Sequence, residues 1–356
     1  MKRIATIVLP ALVLVLPALV ARAEPATVGI VAPLSGPMEI LGRQVLLGAG
    51  RAAERAGIAF DTVDDACSAE GGTAAAERLI AAKVRVVVGF LCVEAIEAAL
   101  PALSEAGIPV ITPGVRADGL TDRRARNGWL VWRTAPRADR ERAAISEILV
   151  RRWARDLFAI VDDGTIYGRE LAESFRLAAE QAGLKPVFTD TYRPQFDNQI
   201  GLAGRLRGAG ATHVFAGGNR DDIAILARDA GVIGYKVTIA GGEALRAAPG
   251  ETDLAPDTLM IGLPEVADIA TTAFLQAFEA DGETAEGYVL DAYAAMQVAL
   301  AAASAADGAE KGVAEALETA TFKTEAGPIR FDAKGDRTDN PYRLFRFDGA
   351  AFVEVK

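Results

Sequence analysis

Apolar positions along this chain alternate between two rhythms, short unbroken runs and longer stretches with an apolar residue every three or four places. The clearest unit lies at 84–118. Val84 and Val86 to Val88 form a continuous run that ends at Gly89, and Ile96, Ala99, Leu100 and Leu103 then share one face of a helix predicted from about Val93 to Ala106. Gly107 stops that helix, Ile108 to Ile111 supply the next strand, and Thr112-Pro113-Gly114 turns the chain. Two neighbouring strand ends therefore present Leu91 to Val93 and Thr112 to Arg116 side by side. Open α/β sheets bind ligands in crevices outside the carboxyl ends of their strands. The helix start carries Leu91, Cys92 and Val93 where Ser, Thr, Asp or Asn would cap it, so its first N–H groups need an acceptor. Water is one; a ligand carboxylate is another.

The same alternation runs through most of the chain. A strand at Thr27 to Ala32, a helix from about Ile40 to Ala56, a strand at Ile58 to Val63 and a helix at Gly72 to Ala82 precede the unit just described. After Leu130 to Arg133, Ala135-Pro136 marks a first domain crossing. A second series follows, with helices at 139–153, 168–182, 199–207 and 222–230 and strands at 157–161, 186–192, 213–216, 237–240 and 258–261, which predicts another parallel sheet. Beyond Pro264 come helices at 271–280 and 286–306, the longer one with Tyr288, Leu290, Tyr293 and Met296 in a stripe that reads as core. Strands at 327–331, 342–347 and 351–355 close the chain. The fold class is α/β, and the 356-residue length calls for two domains.

Met1 to Ala23 combines Lys2 and Arg3, an apolar run from Ile4 to Val20 and Ala21-Arg22-Ala23, the pattern of a secretory signal peptide cut after Ala23. No cysteine near the cut suggests a lipid anchor. Removing the three basic residues of that segment leaves 35 basic against 48 acidic residues, a net charge of −13. An acidic chain without a basic face is a poor nucleic-acid binder, so no nucleic acid partner is expected. Its one basic run, Arg123, Arg124 and Arg126, reads as solvated loop. The two cysteines, Cys67 and Cys92, each follow a predicted strand in a protein bound for an oxidising compartment, which predicts a disulfide worth about 3 kcal/mol. A reactive thiol at Cys92 would need an activating partner, and no histidine lies near it in sequence.

Catalytic signals are few. The single histidine, His213, falls in a strand pattern, and no phosphate-binding glycine loop, serine elbow or metal-ligand spacing occurs. Asp64-Asp65 and Asp162-Asp163 sit at strand ends, but adjacent turn residues point apart. Neither an enzyme nor a cofactor or metal site is expected.

Several motifs together resemble one family. Val28 to Pro37 (V-G-I-V-A-P-L-S-G-P), the cysteine pair, Gly89 to Cys92 (G-F-L-C), Ile111 to Gly114 (I-T-P-G), Trp132 to Pro136 (W-R-T-A-P), Asp162 to Gly168 (D-D-G-T-I-Y-G) and Ala216 to Asn219 (A-G-G-N) look like the periplasmic leucine/isoleucine/valine-binding proteins, the solute receptors of ABC importers. The resemblance implies a two-lobed type I periplasmic-binding fold, each lobe a mostly parallel sheet flanked by helices, with three hinge crossings. It implies one lobe from 24–136 plus 265–338 and another from 137–264 plus 339–356. A ligand is then held between them and passed to a membrane permease, and a monomer suits such a shuttle. Carried over residue by residue, the ligand positions are Leu41, Val93, Gly114, Arg116, Tyr167, Asn219 and Glu243. The resemblance keeps Tyr167 and the acid at Glu243, but valine replaces a serine at 93, arginine a threonine at 116, asparagine a tyrosine at 219 and leucine an aromatic at 41.

Arginine at 116 changes the expected ligand. Its planar fork suits a carboxylate, yet beside a bound ammonium it would repel by about 4 kcal/mol at ~4 Å and an effective dielectric of ~20. Glu243 relieves this by pairing with Arg116, at the cost of its availability to the ammonium. A small organic acid, aromatic or dicarboxylic, then fits better than a branched-chain amino acid. If Arg116 instead points away or bridges to a surface acid, the amino-acid reading stands. Two other classes share the same sequence features: a sensory receptor feeding a membrane kinase or chemoreceptor, and a hydrolase of small amides, which the missing nucleophile argues against.

Overall fold

The computed structural model describes residues 28–309 and 312–355. The expected signal peptide, residues 1–23, lies outside the described residues. The chain opens with β1 (Val28–Ala32), α1 (Glu39–Arg55), β2 (Phe60–Asp64), α2 (Ala69–Ala81), β3 (Val86–Gly89), α3 (Val93–Glu105), β4 (Val110–Thr112), the short α4 (Asp118–Asp122) and α5 (Arg124–Asn127), and β5 (Val131–Arg133). The five strands form one parallel sheet in the order β2-β1-β3-β4-β5. Strand order reverses at β1, which opens a crevice at the carboxyl ends of β1 and β3.

The chain then crosses to a second sheet through α6 (Asp139–Arg152), β6 (Phe158–Asp162), α7 (Ile166–Gln181), β7 (Phe188–Thr191), α8 (Ile200–Gly208), β8 (His213–Gly217), α9 (Arg220–Val232), β9 (Thr238–Gly241) and β10 (Leu259–Gly262). It returns as α10 (Val266–Ile269), α11 (Thr272–Ala280), α12 (Val289–Ala309), α13 (Val313–Thr319) and the hairpin β11 (Thr321–Thr324) and β12 (Gly327–Arg330), whose strands pair only with each other. Finally β13 (Arg343–Phe347) and β14 (Phe352–Glu354) add antiparallel to the second sheet, whose order is β14-β13-β10-β9-β8-β6-β7. The parallel part of this sheet repeats the order of the first, so each sheet has its own crevice.

The returning helices complete the first core. Val289, Ala292, Ala295, Met296 and Ala299 of α12 are buried with Val28, Ile30, Val86 and Val88 of the sheet and Val45 and Ala49 of α1. Helix α12 is long and apolar enough to cross a membrane by composition, but 67% of the qualifying window is buried against this core. Second-sheet packing centres on Trp153, Phe158, Phe175 and Phe215, with His213 5.2 Å from the Trp153 ring. His213 is thus a sheet residue, as its pattern predicts.

Local features also differ from expectation. Helix α2 starts at Ala69, before the predicted Gly72, because the Ser68 hydroxyl accepts from the Gly71 N–H at 3.0 Å and caps it. Strand β11 was not predicted; Thr321 and Lys323 leave it mostly polar, and only Phe322 is buried. Of the arginine run only Arg126 is exposed as expected: Arg124 stacks 4.4 Å over the Trp132 ring with its side chain 11% exposed, and Arg123 lies 5.4 Å over Trp129 while paired with Glu97.

Candidate ligand-binding cleft

Loops at the carboxyl ends of both sheets meet between them. In the first lobe, Gly89 has φ 134° and Phe90 φ 62°, turning the chain out of β3 so that Leu91 and Cys92 precede α3. A side chain at Gly89 would fall on the Val31 carbonyl, so glycine is required there. The disulfide Cys67–Cys92 ties this loop to the turn after β2, with Cα atoms 5.3 Å apart. That turn holds Ala66 and Cys67 both at positive φ, stabilised by the Asp64 carboxylate accepting from Ala66 N at 2.8 Å and Asp65 from Cys67 N at 3.0 Å. The first aspartate pair is therefore structural. So is the second, which holds the turn into α7 through Gly164 and Thr165.

No side chain caps α3 at Cys92. The loop after β4 is held from within: Thr112 Oγ1 donates to the Phe90 carbonyl at 3.0 Å and accepts from Gly114 N at 3.3 Å and Val115 N at 3.1 Å. Gly114 is buried between Leu91 and the ring of Tyr288, which would stand 3.3 Å from a Cβ at 114. Its N–H is thus engaged by Thr112, whereas the sequence alone leaves it as a free donor.

Arg116 does not point away. From the loop after β4 it crosses the cleft, its Nη1 3.5 Å from Glu243 Oε2 and its Nη2 donating to the Tyr342 hydroxyl. That hydroxyl donates in turn to the same Glu243 oxygen at 3.0 Å, and the guanidinium lies 5.7 Å from the Tyr342 ring centre. Burial opposes the charge on Arg116, but the Tyr342 phenol and Glu243 outweigh it, so its pKa is raised.

The second lobe builds its half around Glu141, 6% exposed in the first turn of α6. One carboxylate oxygen accepts from the Tyr167 hydroxyl and from Glu243 N, each at 2.7 Å. Ala244 N donates to Tyr167 at 3.4 Å. A side chain at Gly242 would meet Glu141 Oε1 at 2.5 Å and the Tyr167 hydroxyl at 2.6 Å, which leaves glycine as the residue that fits. Burial raises the Glu141 pKa, with the Glu243 N–H and Tyr167 hydroxyl acting against it; burial and then Glu141 raise that of Tyr167.

Of the seven positions read from sequence, the structure connects Arg116 directly to Glu243, and Glu243 through Glu141 to Tyr167. Gly114 packs against Leu91, and Val93 opens α3 half-buried against the core of the first lobe. Leu41 lies half-exposed on α1, one turn before Gln44, whose Oε1 accepts from Tyr288 N. Asn219 is committed elsewhere: its amide accepts from Asp222 N at 3.0 Å and donates to Asp222 Oδ2 at 2.6 Å, capping α9.

Four cleft residues escaped sequence reasoning. Tyr342 and Tyr288 were read as strand and core-stripe residues, and Asp291 as part of a helix. Glu141 had a legible signal, an acid on the buried stripe Glu141, Ala144, Ile145, Leu149 of α6.

Comparisons with known proteins agree with this architecture. A family model described as periplasmic binding protein matches residues 25–351. The Leu/Ile/Val-binding protein homolog 3 of Brucella melitensis is 28% identical over 347 residues, covering 93% of each chain. A solved structure of a putative branched-chain amino acid ABC transporter from Rhodospirillum rubrum aligns with a TM-score of 0.76 at 16% identity, over 93% of this chain and 100% of that one. An ABC-transporter solute binding protein from R. palustris in complex with benzoate aligns with a TM-score of 0.61 at 21% identity, over 93% and 96%. Since the family match runs through both sheets and the segments that cross between them, the chain belongs to the periplasmic binding protein family, whose members bind solutes and are not enzymes.

Proposed function

We propose that this protein captures a small carboxylate-bearing ligand between its lobes in the periplasm and delivers it, as a monomer, to the permease of an ABC importer. We assign 24–136 with 265–338 to one lobe and 137–264 with 339–356 to the other. The ligand is an organic acid without an ammonium group, aromatic or dicarboxylic. Arg116 carries this reading: its guanidinium reaches across the cleft, with Nη1 3.5 Å from the Glu243 carboxylate, and its planar fork suits an acid. We assign Leu41, Val93, Gly114, Tyr167 and Glu243 to the same site, and Tyr342 to the place of the aromatic that asparagine replaces at 219, since Asn219 caps α9.

A branched-chain amino acid is the second reading, favoured by the name of the Brucella relative and by an acid at 243. Thermal unfolding with leucine, 4-methylpentanoate, benzoate or succinate separates the two, because a ligand of the folded state raises the melting temperature. An acid that stabilises where leucine does not, with the shift abolished in Arg116→Ala, is the expected result. Stabilisation by leucine alone returns the site to amino acids.

A further inference from the structure

Arg116, Glu243 and Tyr342 form a closed cycle across the cleft. Arg116 meets Glu243 through Nη1 and Tyr342 through Nη2, and Tyr342 donates to the Glu243 oxygen that faces Arg116. The three come from the loop after β4, the loop after β9 and the residue before β13, so the cycle joins the two lobes. A carboxylate seeking Arg116 needs the same fork and the same tyrosine donor. We propose that Glu243 is an internal competitor, its carboxylate standing where the carboxylate of the ligand binds, so that it lowers affinity for acids instead of contributing to it.

The inference rests on the organic-acid reading of the cleft. Two observations favour it. The backbone of Glu243 is anchored independently, its N–H on Glu141 at 2.7 Å, so its side chain can leave Arg116 without disturbing the loop. Its side chain is also 27% exposed, and that of Arg116 34%, so a displaced carboxylate reaches solvent and is not stranded. Exchange therefore replaces one charge-assisted contact by another, and the worth of the Arg116–Glu243 pair is subtracted from every anionic ligand. The prediction has the opposite sign to that for an acid that grips a ligand ammonium.

Isothermal titration of benzoate and of leucine into wild type, Glu243→Gln and Arg116→Ala tests this. Glutamine keeps the shape and an acceptor for Tyr342 while removing the charge. Tighter benzoate binding by about fivefold in Glu243→Gln, the scale of a partly exposed ion pair, with none in Arg116→Ala, is expected. Weaker benzoate binding in Glu243→Gln than in a wild type that binds it overturns the competition and leaves the organic-acid reading intact. A wild type that binds leucine alone defeats that reading; leucine binding lost in Glu243→Gln then overturns the competition as well, and leucine binding tightened supports it. Should neither compound bind, urea unfolding of wild type, the two single variants and the double variant measures the pair directly. Additive effects would overturn the inference, and a favourable coupling supports it.

Discussion

Single side chains in this cleft act through charge. Asp291, in the first turn of α12, makes no hydrogen bond or ion pair among the described residues, and its charge, with those of Arg116 and Glu243, acts on the Tyr288 phenol. Although it opens to solvent, the surrounding lobes desolvate it and push its pKa up to about 6, with Arg337 and Arg116 pulling the other way. A carboxyl with a folded pKa above its unfolded value destabilises the fold when ionised. That penalty is present above pH 6 and is relieved as pH falls through about 6 towards the ordinary aspartate range. Asp291→Asn is therefore expected to be more stable than wild type at pH 7.5, with the difference shrinking by pH 5; urea midpoints at the two pH values check it. Arg116 was legible in sequence as a misfit in an otherwise familiar loop. Its partner Tyr342 was not, because a residue 226 positions downstream meets it only through the return of the chain.

Elements of this fold are set by local pattern, and their mutual approach by small residues. Gly48 of α1 packs on the start of α12, where an added Cβ would fall on the Val289 carbonyl. Backbone cannot yield as a flexible side chain does, so Gly48→Ala should cost about 1–3 kcal/mol in denaturant unfolding, with ligand selectivity unchanged. Helix α3 occupies Val93–Glu105, almost as its apolar face predicts. Strand β4 is harder to read: it covers Val110–Thr112, later than the apolar run suggests, because Ile108 packs in the core while still in the turn leaving α3. Of the β11–β12 hairpin only β12 was legible, at 327–331; β11 escaped because it alternates weakly and pairs with no sheet that would demand a strong apolar face.

At the scale of the molecule, the lobes are joined by chain crossings pinned by a buried charge network. Arg133, fully buried at the end of β5, donates to Asp336 Oδ1 through Nε at 2.8 Å and Nη2 at 2.6 Å; Arg137 and Thr121 bind the other oxygen at 3.0 and 2.9 Å. Burial lowers the Arg133 pKa, and Asp336 opposes that shift. Removing the acid leaves the buried Arg133 without a carboxylate, while Arg137 keeps Asp118, Asp122 and Asp139, so Asp336→Ala is expected to destabilise by about 3–5 kcal/mol, read from urea unfolding of the ligand-free protein. The sequence by itself determined the alternation of strands and helices, the disulfide and the family resemblance, since these depend on periodicity, on compartment and on residues close together in the chain. Only the tertiary structure decided that Arg116 faces the cleft, that Glu141 organises the second wall, that Asn219 serves as a cap and that Tyr342 closes the Arg116–Glu243 contact. Those outcomes depend on which loops two sheets bring together, and no local pattern encodes the direction in which a side chain leaves a loop.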